Sequence, residues 1–224
     1  MSLQNFAHGV WHPSGGDGPL PTIVAFHGHG AHGQDLMGLA PFLGGGRSLL
    51  LFPEAQYLLQ PGALSYTWFA SSGDLRRTPE EFERVIGLIR DFIDDALKKY
   101  GGDPERVALL GFSQGGSIAY RLGLGEPGRW RGVAALSTWL PEEAEAAGHA
   151  ADPGAIAALP MLIQHGMQDP QITLDRARDS KTRLEALGAK PDYREYPMAH
   201  QIGNESLRDL ALWTQRVLDV APEA

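Results

Sequence analysis

The run Val107-Ala108-Leu109-Leu110-Gly111-Phe112-Ser113-Gln114-Gly115-Gly116 opens as an unbroken apolar segment and closes on a serine flanked by glycines. An apolar run this short suits a strand buried on both faces. The residues that follow, Ser117-Ile118-Ala119-Tyr120-Arg121-Leu122, carry a helical pattern. Ser113 therefore sits in a G-x-S-x-G turn between a strand and a helix. Such a turn holds its serine in strained backbone geometry and tolerates only small neighbours, which Gly111 and Gly115 supply. The helix start also brings unpaired N–H groups and a positive dipole beside Ser113, where negative charge gathers when a hydroxyl attacks a carbonyl. A serine that merely links strand to helix is the plainer reading. The strand–turn–helix setting is what favours a nucleophile.

Outward from this run, short apolar segments alternate with amphipathic ones. That alternation predicts a mainly parallel sheet covered by helices. Strands are expected at Thr22–Phe26, Ser48–Phe52, Val107–Phe112, Gly132–Leu136, Met161–Gln164 and Tyr193–Tyr196. Thr78-Pro79-Glu80-Glu81 combines an N-cap, a proline at the first helical position and a capping-box glutamate. Phe82, Val85, Ile86, Ile89, Phe92, Ile93, Ala96 and Leu97 then share one helical face, which Gly101-Gly102 ends. Further helices are expected from about Ser113, from about Leu174 to Leu187, and from about Asn204. Pro53 to Ser72 reads as a long loop, and Pro141 to Pro160 as a loop with one short helix. Either loop is placed to border a pocket.

This pattern, with the serine turn, predicts a single α/β-hydrolase domain over residues 1–224, and neither loop is long enough for a large lid domain. In that fold the chain order is serine, then aspartate or glutamate, then histidine. His149, His165 and His200 follow Ser113. His200 lies just past the last strand, in a loop at the carboxyl edge of the sheet, and is the expected general base. Asp169 follows the Met161–Gln164 strand and is the expected acid, orienting His200 and stabilising its charged form. Asp152, Asp175 and Asp179 read as solvated carboxylates. An oxyanion needs two backbone donors. The Gln114 amide, directly after the nucleophile, is one; the His29 amide, in the glycine-bearing turn after Thr22–Phe26, is the candidate for the other.

Bulk properties narrow the partners. A net charge of -8 argues against nucleic acid. With no cysteine there is no disulfide, no thiolate chemistry and no Cys-ligated metal. No apolar run reaches the roughly 20 residues of a membrane span. Met1 to Val10 lacks the basic and apolar regions of a signal peptide, so a cytoplasmic protein without stable membrane insertion is expected. A homodimer is compatible with the sequence and is not derivable from it.

Taken in order, Phe26-His27-Gly28-His29-Gly30, Trp68-Phe69, Gly111 to Gly116, His165-Gly166-Met167-Gln168-Asp169 and His200 resemble the phospholipase/carboxylesterase family that includes acyl-protein thioesterases. The resemblance runs from about Pro21 to the last helix. It implies a compact hydrolase with little or no lid and without cofactor, acting on small acyl esters or thioesters with short to medium chains. It carries over Ser113, Asp169 and His200 as the triad, and the His29 and Gln114 amides as the oxyanion hole. Trp68 and Phe69 resemble a pair that lies beside the acyl site, with ordinary core packing as the alternative. Three positions depart from the pattern: Ala70 stands where many relatives have aspartate, Ala31 where thioesterase-type members have it, and Ala199 where glycine is common.

Two rival functions come from other classes. His27, His29 and His32 have H-x-H-x-x-H spacing after a strand, similar to a metallo-β-lactamase signature, so a metal-dependent hydrolase is one. The aspartate usual before the third histidine is absent. A non-catalytic hydrolase-fold binding module is the other, although such a module usually lacks part of the triad.

Overall fold

The computed structural model describes residues 6–14, 18–69 and 77–220. Ala70 and the end of the Pro53 to Ser72 stretch lie outside the described residues, as do Met1 to Asn5. Seven strands form the central sheet: β1 (His8–Trp11), β2 (Leu20–Phe26), β3 (Leu49–Pro53), β6 (Gly102–Phe112), β7 (Gly132–Leu136), β8 (Met161–Gly166) and β9 (Asp192–Tyr196). A separate two-stranded ribbon joins β4 (Tyr57–Leu58) to β5 (Tyr66–Thr67). The helices are α1 (Pro79–Tyr100), α2 (Gln114–Gly125), α3 (Glu142–Ala150), α4 (Pro153–Ala158), α5 (Leu174–Ala186) and α6 (Asn204–Val217).

Strand order in the sheet is β1-β3-β2-β6-β7-β8-β9. Every neighbouring pair is parallel except β1 with β3. The continuous apolar runs follow from burial on both faces. Val24 and Phe26, Leu49 and Leu51, and Val107 and Leu109 face a core shared with α1 and α2. The alternate residues Ile23 and Ala25, Leu50 and Phe52, and Ala108 and Leu110 face a second core shared with α6. The six expected strands all form, with ends moved by a few residues.

Helix signals acted where they stood. Thr78 caps α1 by accepting the Glu81 amide at 3.2 Å, and Gly101 ends the helix in a left-handed conformation at φ 76. Three elements differ from expectation. β1 adds an antiparallel edge strand. The stretch after β3 contains the β4–β5 ribbon. Between β7 and β8 stand two helices, and the Asp152 carboxylate caps the second by accepting the Ala155 amide at 2.7 Å.

The connection from β2 leads to β3 on one side, and that from β6 leads to β7 on the other. Winding therefore reverses between β2 and β6. In open α/β sheets a crevice opens at the carboxyl ends of the strands at such a switch point.

Candidate active site

Ser113 stands at the carboxyl end of β6 with φ 52 and ψ -120. A non-glycine residue in such a region costs about 1–3 kcal/mol and persists only where its surroundings hold it. Three hydrogen bonds do so. The Ser113 amide donates to the Leu136 carbonyl at 2.9 Å, and the Ser113 carbonyl accepts from the Gly116 amide at 2.9 Å and the Thr138 hydroxyl at 2.7 Å. The small neighbours are required by close approach. A Cβ on Gly115 would stand 2.7 Å from the His27 carbonyl oxygen and closer still to that of Phe26. With glycine there, α2 starts hard against the end of β2.

Asp169 and His200 come together from the loops after β8 and β9. His200 Nδ1–H donates to Asp169 Oδ2 at 2.7 Å. The other carboxylate oxygen accepts the amides of Gln171 at 2.8 Å and Ile172 at 2.9 Å. Burial alone would raise the Asp169 carboxyl. The Ile172 amide, His200 and the Gln171 amide together outweigh it and hold the group below the usual carboxylate range. The two loops are stitched by backbone bonds from Met167 to the Tyr196 carbonyl at 2.8 Å and from Gln168 to the Met198 carbonyl at 3.1 Å. Gly166 makes this approach possible, because a Cβ there would press on the carbonyls of Met198 and Ala199. The His200 ring packs on Phe112, the residue before Ser113, with centroids 4.9 Å apart. Among the described residues no hydrogen bond joins the Ser113 hydroxyl to His200. Such bonds are often long in unliganded enzymes and tighten when substrate binds.

The amides of His29 and Gln114 donate to no acceptor among the described residues. The β5 strand braces both positions. The Gly30 amide donates to the Tyr66 carbonyl, and the Tyr66 amide to that of Ala31, each at 2.9 Å. Gln114 Oε1 accepts the Trp68 amide at 3.1 Å, and its Nε2 donates to the Thr67 hydroxyl at 3.0 Å. One short ribbon therefore ties the first loop to the residue after Ser113. Sequence reasoning missed this role for Tyr66, Thr67 and the Gln114 side chain. The only local signal was a Tyr-Thr-Trp run with strand propensity, too short to stand out.

Trp68 and Phe69 are fully buried. The Trp68 indole donates to the His27 carbonyl at 2.9 Å and packs on the rings of Phe6, Phe26 and His27. Phe69 packs on Phe82.

The three clustered histidines are used separately. His27 Nδ1–H donates to the Gly28 carbonyl at 2.8 Å, and its Nε2 accepts the Ala55 amide at 3.1 Å. Burial pushes this imidazole down to about 4 against the pull of the Gly28 carbonyl. His32 bonds to Asp35 at 2.9 Å and accepts the Gln34 amide. With both His27 nitrogens spent inside the protein, the cluster has no common point for a metal. Among the described residues no three histidine, aspartate or glutamate side chains gather as a metal site. His165 is also inward: it donates to the Ile172 carbonyl at 2.8 Å and supports the turn that feeds Asp169. His149 is exposed near the end of α3.

A cavity of about 250 Å³ opens beside these residues, lined by Gly28, Ala31, Leu36, Leu39, Phe112 and Ile202, with His27 and Asp35 completing it. It lies at the carboxyl ends of β2 and β6, where Gly28 and Phe112 line it. No helix among the described residues is long and apolar enough to cross a membrane.

Comparison with known proteins agrees with this architecture. The maize acyl-protein thioesterase 2 structure superposes with a TM-score of 0.76 at 20% identity, covering 95% of this chain and 99% of that one. A Bacillus cereus carboxylesterase structure gives 0.74 at 18% identity, covering 95% and 94%. At these identities the likeness carries the fold, which is that of the α/β-hydrolases. In sequence, acyl-protein thioesterase 1 of Mycosarcoma maydis is 28% identical over 93% of this chain and 96% of its own. Carboxylesterase SOBER1 of Arabidopsis thaliana is 26% identical over 75% and 76%. The family model described as Phospholipase/Carboxylesterase matches residues 13–218. That span runs from β2 through the Ser113 turn and the His200 loop into α6, and the chain belongs to the phospholipase/carboxylesterase family.

Proposed function

We propose that this protein is a serine hydrolase that cleaves carboxylic esters or thioesters through Ser113, His200 and Asp169, within one α/β-hydrolase domain. The observation that carries the reading is the strained Ser113 turn, whose preceding residue packs on a histidine already bonded to a depressed carboxylate. Family membership and the names of the relatives, thioesterases and carboxylesterases, support the substrate class.

His200 takes the Ser113 proton as the hydroxyl oxygen attacks the carbonyl carbon. The His29 and Gln114 amides hold the oxyanion, their places kept by β5. Asp169 keeps the His200 proton on Nδ1 in the resting state and so leaves Nε2 free to accept. His200 then gives the Ser113 proton to the departing alcohol or thiol as its bond to the carbonyl carbon breaks, and water hydrolyses the acyl-enzyme by the same route. The binding-module alternative is disfavoured because all three side chains are retained. The experiment is hydrolysis of p-nitrophenyl esters with fluorophosphonate labelling, on wild type and Ser113→Ala, with and without chelator. Labelling and turnover are expected only with Ser113 present, and unaffected by chelation. Labelling that persists in Ser113→Ala, or turnover abolished by the chelator, contradicts the reading.

A further inference from the structure

We propose that the cavity between the β2 loop and the His200 loop receives the leaving group of the substrate, and that its occupant is a small, uncharged alkyl or aryl alcohol or thiol moiety. This rests on the serine-hydrolase reading and adds a side of the scissile bond to it. In the acylation step the Ser113 oxygen bonds to the carbonyl carbon and the bond from that carbon to the leaving oxygen or sulfur breaks. The proton taken from Ser113 passes from His200 to the departing atom, which leaves as a neutral alcohol or thiol. The departing atom must therefore lie within hydrogen-bond reach of His200. Two of the cavity walls are His200's own neighbours: Phe112, whose ring packs on it at 4.9 Å, and Ile202, two residues on.

The remaining walls set the chemistry of the occupant. Leu36, Leu39, Ala31 and Gly28 are apolar. His27 spends both ring nitrogens inside the protein, so it offers the cavity no free donor or acceptor. Asp35 is bound to His32 through its side chain. Asp35 is the single carboxylate among these lining residues; both its oxygens are engaged by His32, and its negative charge disfavours a phosphate or carboxylate headgroup. A volume of about 250 Å³ falls just below the ~300–1,000 Å³ of pockets that enclose drug-sized ligands. It suits one small apolar group.

Leu39, on a short 3-10 turn and only partly buried, is the wall to change. Two substrate series are compared. Acetates of ethanol, butanol and benzyl alcohol vary the leaving group; p-nitrophenyl acetate, butyrate and octanoate vary the acyl chain. Leu39→Trp is expected to lower kcat/KM for butyl and benzyl acetate roughly tenfold relative to ethyl acetate, the lower end of what one misplaced methylene costs in an apolar pocket. The shape of the acyl series is expected to hold. Leu39→Ala is expected to shift the alcohol series the opposite way, which keeps the test open if the tryptophan variant does not fold. An altered acyl profile with an unaltered alcohol profile overturns the proposal, and so does no change in either. Failure of the serine mechanism reads out separately, as wild-type protein that fluorophosphonate does not label at Ser113.

Discussion

Replacing Asp169 with asparagine keeps the shape of the side chain and removes its charge. Oδ1 accepts two backbone amides, from Gln171 and Ile172, at 2.8 and 2.9 Å, and Oδ2 accepts the His200 proton at 2.7 Å. An asparagine has one acceptor for these three donors. Turning its oxygen toward His200 would point its NH₂ at both backbone amides, at about 1–3 kcal/mol for each donor left unpaired. The oxygen therefore stays on the amides and the NH₂ faces His200. That histidine then presents a lone pair at Nδ1 and carries its proton on Nε2, the nitrogen that has to receive the proton of Ser113. The expected loss is about 10⁴-fold in kcat, the scale of the equivalent change in Ser-His-Asp proteases, or about 5.5 kcal/mol of barrier. The assay is p-nitrophenyl ester turnover with the rate of fluorophosphonate labelling beside it, and urea unfolding to establish that Asp169→Asn is folded. Acid adds a second readout. A carboxyl held below its unfolded value of about 3.9 contributes stability that is present above that pH and lost as pH falls through the folded value. The stability difference between the two proteins is expected to shrink below pH ~4. A folded Asp169→Asn protein with kcat within tenfold of wild type would refute the tautomer argument.

Two further outcomes follow from the same network. Gln114→Leu keeps the backbone donor but leaves the Trp68 amide without its partner and frees β5 from the residue after Ser113; about 1–3 kcal/mol of stability and roughly tenfold in kcat with little change in KM are expected, and a raised KM at constant kcat would move Gln114 from positioning to binding. The pH dependence of stability carries a term from His27, whose imidazole is neutral in the fold to about pH 4 while the unfolded chain takes up a proton near 6.5. Stability from this group is intact above pH 6.5 and falls by about 3 kcal/mol on the way to pH 4. Urea unfolding across that range, with the His27 ring followed by NMR, checks it; a ring that titrates near 6.5 contradicts it.

The parts of the fold that were legible in the sequence are those where local chemistry and burial agree. β2, β3, β6, β7 and β8 are apolar on both faces because two cores cover them, and Thr78-Pro79 and Gly101 bound α1 with their own side-chain and backbone chemistry. β1 escaped notice because His8-Gly9-Val10-Trp11 is four residues long, half-buried and without clear alternation. The second helix before β8 had a readable start in Asp152-Pro153 but only six residues to follow it. At the site, chain order against strand ends is what points to Ser113, Asp169 and His200 as the proposed triad. What holds them was not legible in the sequence. The Gln114 side chain meets Thr67 and Trp68 across 47 and 46 residues of chain, and His165 serves Asp169 through the Ile172 carbonyl. No local pattern encodes a contact of that range.

The departures from the family pattern bear differently on the site once located. Ala31 lines the cavity beside Asp35, so the aspartate that the resemblance implies for thioesterase-type members would put a second negative charge on the same wall. Alanine leaves Asp35 the single carboxylate among the lining residues. The Ala31 carbonyl meanwhile accepts the Tyr66 amide, a contact any residue would keep, so the first loop is held the same way whichever side chain stands there. Ala199 uses its carbonyl to hold the Gln201 amide at 2.9 Å, again a backbone role. The groups proposed to break the bond thus lie outside these changes, while the space next to His200 carries one charge fewer than an aspartate at position 31 would give it. A substitution confined to that wall alters which alcohol or thiol fits and leaves the route of the proton untouched. Ala31→Asp is the reverse experiment: it is expected to depress kcat/KM for butyl and benzyl acetate while fluorophosphonate labelling of Ser113 proceeds. A loss of labelling in step with turnover would instead tie residue 31 to the chemistry itself.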